Sequence, residues 1–184
     1  MCFPLDKKVK ISWEPESFRK IDLAFESEIP VGTAHPGAFG VVRRNHVHEG
    51  VDLYGLEGDK VIAMQDGIIT GIHPFTGPLA GSEWWHDTEC VVVENAEGVL
   101  IYGELCPASG LEAGQAVTEG QVLGYLATVL RHDKGRPMNM LHLERYVSGV
   151  KVSCGIWEKG AGRPYGLLDP TELLLQAAGL ELSR

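Results

Sequence analysis

No stretch of this 184-residue sequence approaches the roughly 20 consecutive apolar residues that a membrane-spanning helix requires. The first residues, Met1 to Trp13, also lack the apolar core of a signal peptide. The chain as written is therefore expected to be a soluble, cytoplasmic protein without a membrane span. An exported form made from a longer precursor stays open at this point.

Cysteine and positive charge are also scarce. The four cysteines include no C-x-x-C pair, so they do not form the pattern of a structural zinc knuckle. Lys and Arg number 16 against 25 Asp and Glu, which gives a net charge of −9. Because nucleic acids and anionic membranes attract clustered Lys and Arg, this balance argues against both as general partners.

The remaining composition is that of an ordinary globular protein, with a hydrophobic fraction of 44% and a charged fraction of 22%. Residues 1–36 contain four prolines and no sustained periodicity, which predicts an irregular N-terminal arm with one short helix near Ser17–Phe25. Residues 37–150 are expected to form the main domain, and residues 151–184 a C-terminal extension.

Short apolar runs separated by turn residues predict a mainly β, antiparallel domain. The predicted strands include Val51–Tyr54, Cys90–Glu94, Val99–Leu105 and Met140–Val147. Nothing alternates strand with helix, as a dinucleotide-binding fold would. The stretch Asp169-Pro170-Thr171-Glu172 is typical of a helix start and predicts one C-terminal helix near residues 170–178, ending at Gly179.

The stretch His48-Glu49-Gly50-Val51-Asp52 offers an imidazole and a carboxylate four residues apart. A straight strand would separate them by roughly 13 Å, too far to share one metal ion. Gly50 can adopt backbone angles closed to other residues, so it could bend the chain and bring the two groups together. On these residues alone, a strand-edge carboxylate or a turn cap explains Asp52 as well as a metal ligand does.

The predicted strand Met140–Val147 places Met140, His142 and Glu144 on one face, because side chains alternate along a strand. Taken alone, His142 fits a hydrogen-bonded histidine on a half-buried strand as well as a metal ligand. Glu144 would either steady a ligand histidine from behind or be a solvated strand residue. The residues by themselves leave these alternatives open.

Three segments follow one another in an informative order. The first is His48 to Asp52, followed by Gly58, Val61, Ala63 and Gly67. The second is Glu112 to Gly124, which holds two similar turns, each with a Gly-Gln step; the third is Leu141-His142-Leu143-Glu144. The set resembles the lysostaphin/LytM-type zinc metallopeptidases, with their H-x-G-x-D element, their G-x-x-V-x-A-x-x-x-G run, their paired Gly-Gln turns and their H-L-H-F-E strand.

This resemblance implies an antiparallel sheet or sandwich of the duplicated hybrid motif type, with a groove across one face. It also implies that His48, Asp52 and His142 hold a zinc ion. Two imidazoles and one carboxylate leave a fourth position open, as catalytic zinc sites do. Since the family cleaves peptide cross-bridges in bacterial cell walls, the implied substrate is a peptide of the peptidoglycan type.

Two positions depart from the family pattern. Met140 stands where the family has the first histidine of its H-L-H strand, and Glu104 stands at the histidine of its Y-x-H-L element. A thioether cannot transfer a proton, so the usual mechanism cannot operate unchanged. One hypothesis makes Glu104 the general base of a peptidase, as Glu is in H-E-x-x-H enzymes. The alternative is a non-catalytic zinc-binding homologue whose groove binds a peptide or protein partner, and Glu104 could also be a surface strand residue.

Several other residues are candidates for the second shell or the groove. Tyr102 and Met140 are included because the motifs that carry Glu104 and His142 contain them. His46 is interpreted as either an outer-shell group or a surface residue, since it lies two positions before His48. His86 follows Trp84-Trp85 and is expected at the groove rim, where aromatic side chains would grip an extended substrate. No role is assigned to the histidines in predicted loops, which are His35, His73 and His132.

Overall fold

The computed structural model describes residues 1–14, 21–133, 135 and 137–182. Its strands are β1 (Lys8–Ser12), β2 (Glu26–Pro30), β3 (His46–Val47), β4 (Val51–Tyr54), β5 (Lys60–Ile62), β6 (Gly67–Thr76), β7 (Thr88–Asn95), β8 (Gly98–Pro107), β9 (Ala116–Val117), β10 (Val122–Leu126), β11 (Met140–Tyr146), β12 (Trp157–Glu158) and β13 (Leu167–Leu168). One α-helix, α1 (Thr171–Ala178), and a short 3-10 turn at Pro78–Ala80 complete the secondary structure of the described residues.

Nine of the strands form one antiparallel sheet. Its main path runs in the order β13-β11-β8-β7-β6-β9. Off this path, β4 pairs with β11, and β10 joins β8 to β5. The predicted mainly β, antiparallel fold is therefore confirmed.

The sheet buries side chains on both of its faces. Leu141 and Leu143 of β11 belong to the larger core, together with Tyr102 of β8. Tyr146 of β11 and Ile101 of β8 belong to a smaller core on the other face. Because alternate residues of a strand share a face, the smaller core lies on the same side as Met140, His142 and Glu144.

Two short strands lie within residues 1–36, the segment that the sequence predicts to be irregular. β1 pairs with β2 in parallel, with Lys8 opposite Glu26 and Ile11 opposite Ile29. Ile29 is fully buried in the larger core, so burial of this side chain holds β2 in place despite the proline that ends it. The helix predicted near Ser17–Phe25 falls partly outside the described residues, and a turn in which Phe25 N donates to Asp22 O occupies the rest.

The predicted C-terminal helix is confirmed as α1. The helix starts one residue later than the motif predicts, because Pro170 and not Asp169 is the N-cap residue, while Thr171 N donates to Asp169 Oδ1 at 2.8 Å. Gly179, with a φ of 65°, ends the helix in the left-handed conformation that favours glycine. The leucines 173–175 bury one side of the helix in the larger core. Among the described residues, no helix has the length and apolar character needed to cross a membrane.

Candidate metal centre

The predicted ligands meet where β4 runs beside β11. Asp52 of β4 lies directly opposite His142 of β11 in the antiparallel register. A Cβ atom at Gly50 would lie 2.5 Å from Leu143 O and 2.8 Å from His142 Nε2, so only glycine lets the two segments come this close. The glycine acts through this close approach, because Gly50 is not among the glycines with a positive φ.

The three ligand candidates form one compact buried cluster. His48 Nε2 lies 3.1 Å from Asp52 Oδ1 and 3.1 Å from His142 Nδ1. His142 Nδ1 lies 2.9 Å from the same oxygen, Asp52 Oδ1. The exposed fractions are 0% for His48, 3% for Asp52 and 7% for His142. The structure thus brings together residues that are 94 positions apart in the chain.

Both imidazoles are held through their outer nitrogen. His48 Nδ1 donates to Ala38 O at 2.9 Å, and a carbonyl can only accept. His142 Nε2 donates to Glu144 Oε1 at 3.2 Å. When the rings are neutral, His48 Nε2 and His142 Nδ1 therefore carry lone pairs, and both nitrogens lie next to Asp52 Oδ1.

The electrostatics of the cluster favour one positive charge at its centre. Burial lowers the pKa of His48 to about 4, which keeps this ring neutral. Burial opposes the charge of Asp52, yet His48, Arg43 and His142 hold its pKa well below the usual range. Burial also opposes a charge on His142, but hydrogen bonds to Asp52 and Glu144 raise its pKa well above the usual value. Without a metal this ring therefore holds a second proton on Nδ1, facing Asp52 Oδ1, and a bound metal ion would take the place of that proton. Two ring nitrogens and a carboxylate oxygen therefore surround a point that attracts a cation.

Glu144 lies behind His142 and is not a solvated strand residue. Its side chain is 1% exposed and accepts hydrogen bonds at both oxygens. Besides His142, Tyr146 Oη donates to Glu144 Oε2 at 2.8 Å, and Ser153 Oγ donates to Oε1 at 2.8 Å. The carboxylate thus fixes the ring of His142, as carboxylates commonly do for metal-binding histidines.

Arg43 also belongs to the cluster, although no motif in the sequence predicts it there. Its Nη2 contacts Asp52 Oδ2, and its Nε and Nη2 donate to Pro36 O at 3.0 and 2.7 Å. Burial opposes the charge of Arg43, but Asp52, with smaller contributions from Tyr54 and Glu104, raises its pKa. Asp52 therefore divides its two oxygens, Oδ1 for the histidines and Oδ2 for the guanidinium.

Glu104 lies on a β-bulge of β8. Glu89 and Val91 of β7 are two residues apart, whereas their partners on β8, Leu105 and Tyr102, are three apart. Both Tyr102 and Leu105 are buried in the larger core, so the extra residue leaves Gly103 and Glu104 together on the opposite face.

That opposite face is the one that carries His142, since Gly103 is the register partner of His142. Glu104 also has a φ of 66°, which is uncommon outside glycine. Strain of this kind concentrates at functional sites, where it re-aims a side chain. With an exposed fraction of 8%, Glu104 is not a surface strand residue.

Met140 and Tyr102 lie on opposite sides of the sheet. Met140 is 7% exposed and shares the His142 face, two residues along β11. Tyr102 is buried in the larger core, where Met64 N donates to its hydroxyl at 2.9 Å. The structure therefore keeps Met140 beside the cluster and does not bring Tyr102 to it.

The other histidines are not among the three ligand candidates. His46 is half-buried on β3, with Nε2 4.0 Å from Glu49 Oε2, and it does not join the three ligands. His86 is exposed on the loop between β6 and β7, where its N donates to Val129 O. His35, which the sequence analysis left without a role, is fully buried, and its Nδ1 accepts from Gly37 N at 3.0 Å. Gly37 O in turn accepts from Asp52 N, so His35 supports the backbone segment against which Asp52 lies.

The fold of this chain is similar to that of several solved structures. The catalytic domain of the antimicrobial peptidase lysostaphin from Staphylococcus simulans matches 75% of this chain and 88% of its own length, with 18% identity and a TM-score of 0.51. The chain has the fold of that catalytic domain. The predicted likeness to lysostaphin/LytM-type domains is thus confirmed at the level of fold.

Two further structures are similar over comparable lengths. CbpA from L. salivarius REN shares 23% identity over 78% of this chain and 86% of that chain, with a TM-score of 0.48. A mutant catalytic domain of the prophage-encoded M23 protein EnpA from Enterococcus faecalis shares 18% identity over 75% and 83%, with a TM-score of 0.46. The sequence matches no family model and no curated protein.

Proposed function

We propose that this chain is a zinc-dependent peptidase-like domain that hydrolyses peptide bonds such as those of peptidoglycan cross-links. The observation that carries the proposal is the convergence of His48 Nε2, His142 Nδ1 and Asp52 Oδ1, at mutual distances of 2.9 to 3.1 Å. The lysostaphin-type fold supports a peptide as the substrate, since lysostaphin is a peptidase.

The residues present fit a zinc ion. Neutral imidazole nitrogens and a carboxylate oxygen are ligands that zinc accepts, and three protein ligands are typical of catalytic sites. Each imidazole has its outer nitrogen committed, to Ala38 O in one case and to Glu144 in the other. Asp52 offers one oxygen, because Arg43 occupies the other. His48, Asp52 and His142 would therefore hold the metal.

Zinc bound there would act as a Lewis acid that polarises a scissile carbonyl and lowers the pKa of water. The chain's own residues supply orientation and proton transfer. His48 and His142 keep fixed ring positions through their outer hydrogen bonds, and burial excludes bulk water from the ligands. Arg43 balances the charge of Asp52 and holds its carboxylate in place.

Glu104 is the proposed general base. As the oxygen of water attacks the carbonyl carbon, a Glu104 carboxylate oxygen accepts the proton of that water. The same proton then passes to the amide nitrogen as the carbon–nitrogen bond breaks, which yields a carboxylic acid and an amine. The bulge at Gly103 and Glu104, with its positive φ, supports this role because it turns the carboxylate to the His142 face.

A second function remains in competition, that of a zinc-binding domain without catalysis whose groove binds a peptide or protein partner. Met140 favours it, because a methionine beside His142 can neither transfer a proton nor donate a hydrogen bond. The low exposure of the ligands, 7% at most, favours it as well.

One experiment separates the two functions. Purified peptidoglycan and model oligopeptides are incubated with the zinc-loaded protein, and new amino termini are counted by mass spectrometry. A peptidase produces them, and His142→Ala, which removes a ligand, abolishes them. Zinc-loaded protein that binds these peptides without cleaving any would establish the non-catalytic function instead.

A further inference from the structure

The support of His142 continues beyond β11 into the C-terminal segment. Glu144 Oε1 accepts from His142 Nε2 at 3.2 Å and from Ser153 Oγ at 2.8 Å. Glu144 Oε2 accepts from Tyr146 Oη at 2.8 Å. Glu144 and Tyr146 are each 1% exposed. Both carboxylate oxygens thus have protein donors, and the one nearest His142 depends on Ser153.

Ser153 is itself fixed by the backbone around it. Gly155 N donates to Ser153 Oγ at 3.1 Å, which leaves the hydroxyl hydrogen for Glu144. Cys154 N donates to Tyr146 Oη at 2.9 Å, which leaves the phenol hydrogen for the other oxygen of Glu144. Residues 153–155 therefore hold two hydroxyl groups in position to donate to one buried carboxylate.

The same segment also contacts the neighbour of the first ligand. Trp157 N donates to Glu49 Oε1 at 2.6 Å, and Glu49, which follows His48, is 4% exposed. β12 then pairs with β3, with Trp157 opposite Val47. Residues 153–158 consequently brace the segments that carry both histidines of the centre.

We propose that Ser153 is a positioning residue of the metal centre, which acts by orienting Glu144 and through it the ring of His142. The C-terminal segment 153–158 thereby completes the centre. This inference rests on the proposed function, because it concerns the same three ligands. It assigns part of the centre to a region beyond the motifs at residues 48–144 that suggested zinc.

Ser153 matters because the contact between His142 and Glu144 is too long to orient the carboxylate by itself. Without the Ser153 hydroxyl, Glu144 Oε1 keeps only the 3.2 Å contact with His142. The carboxylate can then rotate while it keeps its hydrogen bond from Tyr146 Oη, and the ring of His142 is no longer held in one orientation. Removal of partners that orient a metal-binding histidine typically lowers metal affinity by about 10- to 100-fold.

The test measures zinc affinity by competition with a chelator. Ser153→Ala is expected to lower the affinity about tenfold. Ser153→Thr, which keeps the hydroxyl, and Ser148→Ala, at an exposed position nearby, are expected to stay within about twofold of the starting protein. In a Glu144→Gln background, Ser153→Ala is expected to add no further loss, because the residue it acts through has already been changed.

A second readout needs no metal. Histidine NMR in excess chelator follows the ring Nε2–H of His142, which Glu144 protects from exchange; Ser153→Ala is expected to weaken that signal and Ser153→Thr to retain it. Unchanged affinity together with an unchanged signal would overturn the proposal. If Ser153→Ala lowers zinc affinity as much in the Glu144→Gln background as in the starting protein, the proposal is overturned too. If the starting protein binds no zinc but Ser153→Ala still loses the signal, the positioning role stands and the proposed function fails.

Discussion

The guanidinium of Arg43 donates to Asp52 Oδ2, the carboxylate oxygen that the two histidines do not use. This pairing gives a buried carboxylate a permanent counter-charge. It also leaves Asp52 one oxygen with which to bind a cation. Arg43 thus sets both the charge and the binding mode of the centre.

Replacing Arg43 tests the energetic part of this relationship. Arg43→Met leaves Asp52 buried without its cation and is expected to destabilise the chelator-treated protein by about 3 kcal/mol, as in other buried pairs that lose one partner. Urea unfolding measures the change. Arg44→Met, at the exposed neighbouring position, is the matched control and is expected to stay within about 0.5 kcal/mol. Equal stabilities of the two variants would contradict the structural role of Arg43.

Glu104→Gln tests the general base. The amide keeps the shape of the side chain but cannot accept the proton, so hydrolysis is expected to fall at least about 100-fold while bound zinc stays unchanged. Turnover of peptide and metal content are measured on the same preparation. Glu89→Gln, at an exposed position of β7, is the control. Undiminished turnover in Glu104→Gln would remove Glu104 from the mechanism.

Met140→His tests the departure from the family pattern. An imidazole at this position would stand on the His142 face, where it could donate to a developing oxyanion, and turnover is expected to rise about tenfold or more. The comparison is kcat for the variant against the starting protein. Met138→His, which lies before β11 begins, serves as the control. A fall in kcat with zinc retained would argue that the methionine side chain is required.

His35 predicts a pH dependence of stability. Burial lowers its pKa to about 4 from 6.5, while Asp52 acts in the opposite direction. The unfolded chain therefore binds the proton first, and folding stability is lost as the pH falls from about 6.5 to about 4. In His35→Asn, whose side chain can still accept from Gly37 N, the loss of folding free energy between about pH 6.5 and about pH 4 is expected to be smaller by up to about 3 kcal/mol.

The measurement is urea unfolding at several pH values in excess chelator, so that metal release does not contribute. His132→Asn, in an exposed loop, is the matched control. A slope in His35→Asn as steep as that of the starting protein would contradict the neutral, buried state of His35.

Local signals in the sequence account for much of the fold. Each Gly-Gln turn is closed by its own glutamine: Gln115 Oε1 accepts from Glu112 N, and Gln121 Oε1 accepts from Thr118 N, both at 3.2 Å. The helix α1 follows equally from Asp169 at its start and Gly179 at its end. Such contacts join residues two or three positions apart, so the local sequence is enough to predict these turns and this helix.

The candidate site could be predicted only in part. The family resemblance linked His48, Asp52 and His142, which the fold brings together through the pairing of β4 with β11. The one-residue bulge that turns Glu104 shifts the register between β7 and β8, and the sequence of β8 does not show where that shift falls.

Two supporting residues of the centre, Arg43 and Ser153, were beyond prediction, whereas Glu144 was among the candidates. Arg43 reaches Asp52 because of the turn at 36–47, and Ser153 approaches Glu144 from a segment that the sequence assigns to an extension. These contacts depend on the path of the chain, which neither spacing nor composition specifies. The parallel pairing of β1 with β2 was missed for the same reason.

The most direct test of the whole account is the metal content of the purified protein, measured by inductively coupled plasma mass spectrometry. We expect about one zinc ion per chain, lost in His48→Ala, Asp52→Ala and His142→Ala but retained in His86→Ala, at an exposed loop position. Chains that hold no zinc after incubation with it, or ligand variants that hold as much as the starting protein, would contradict it.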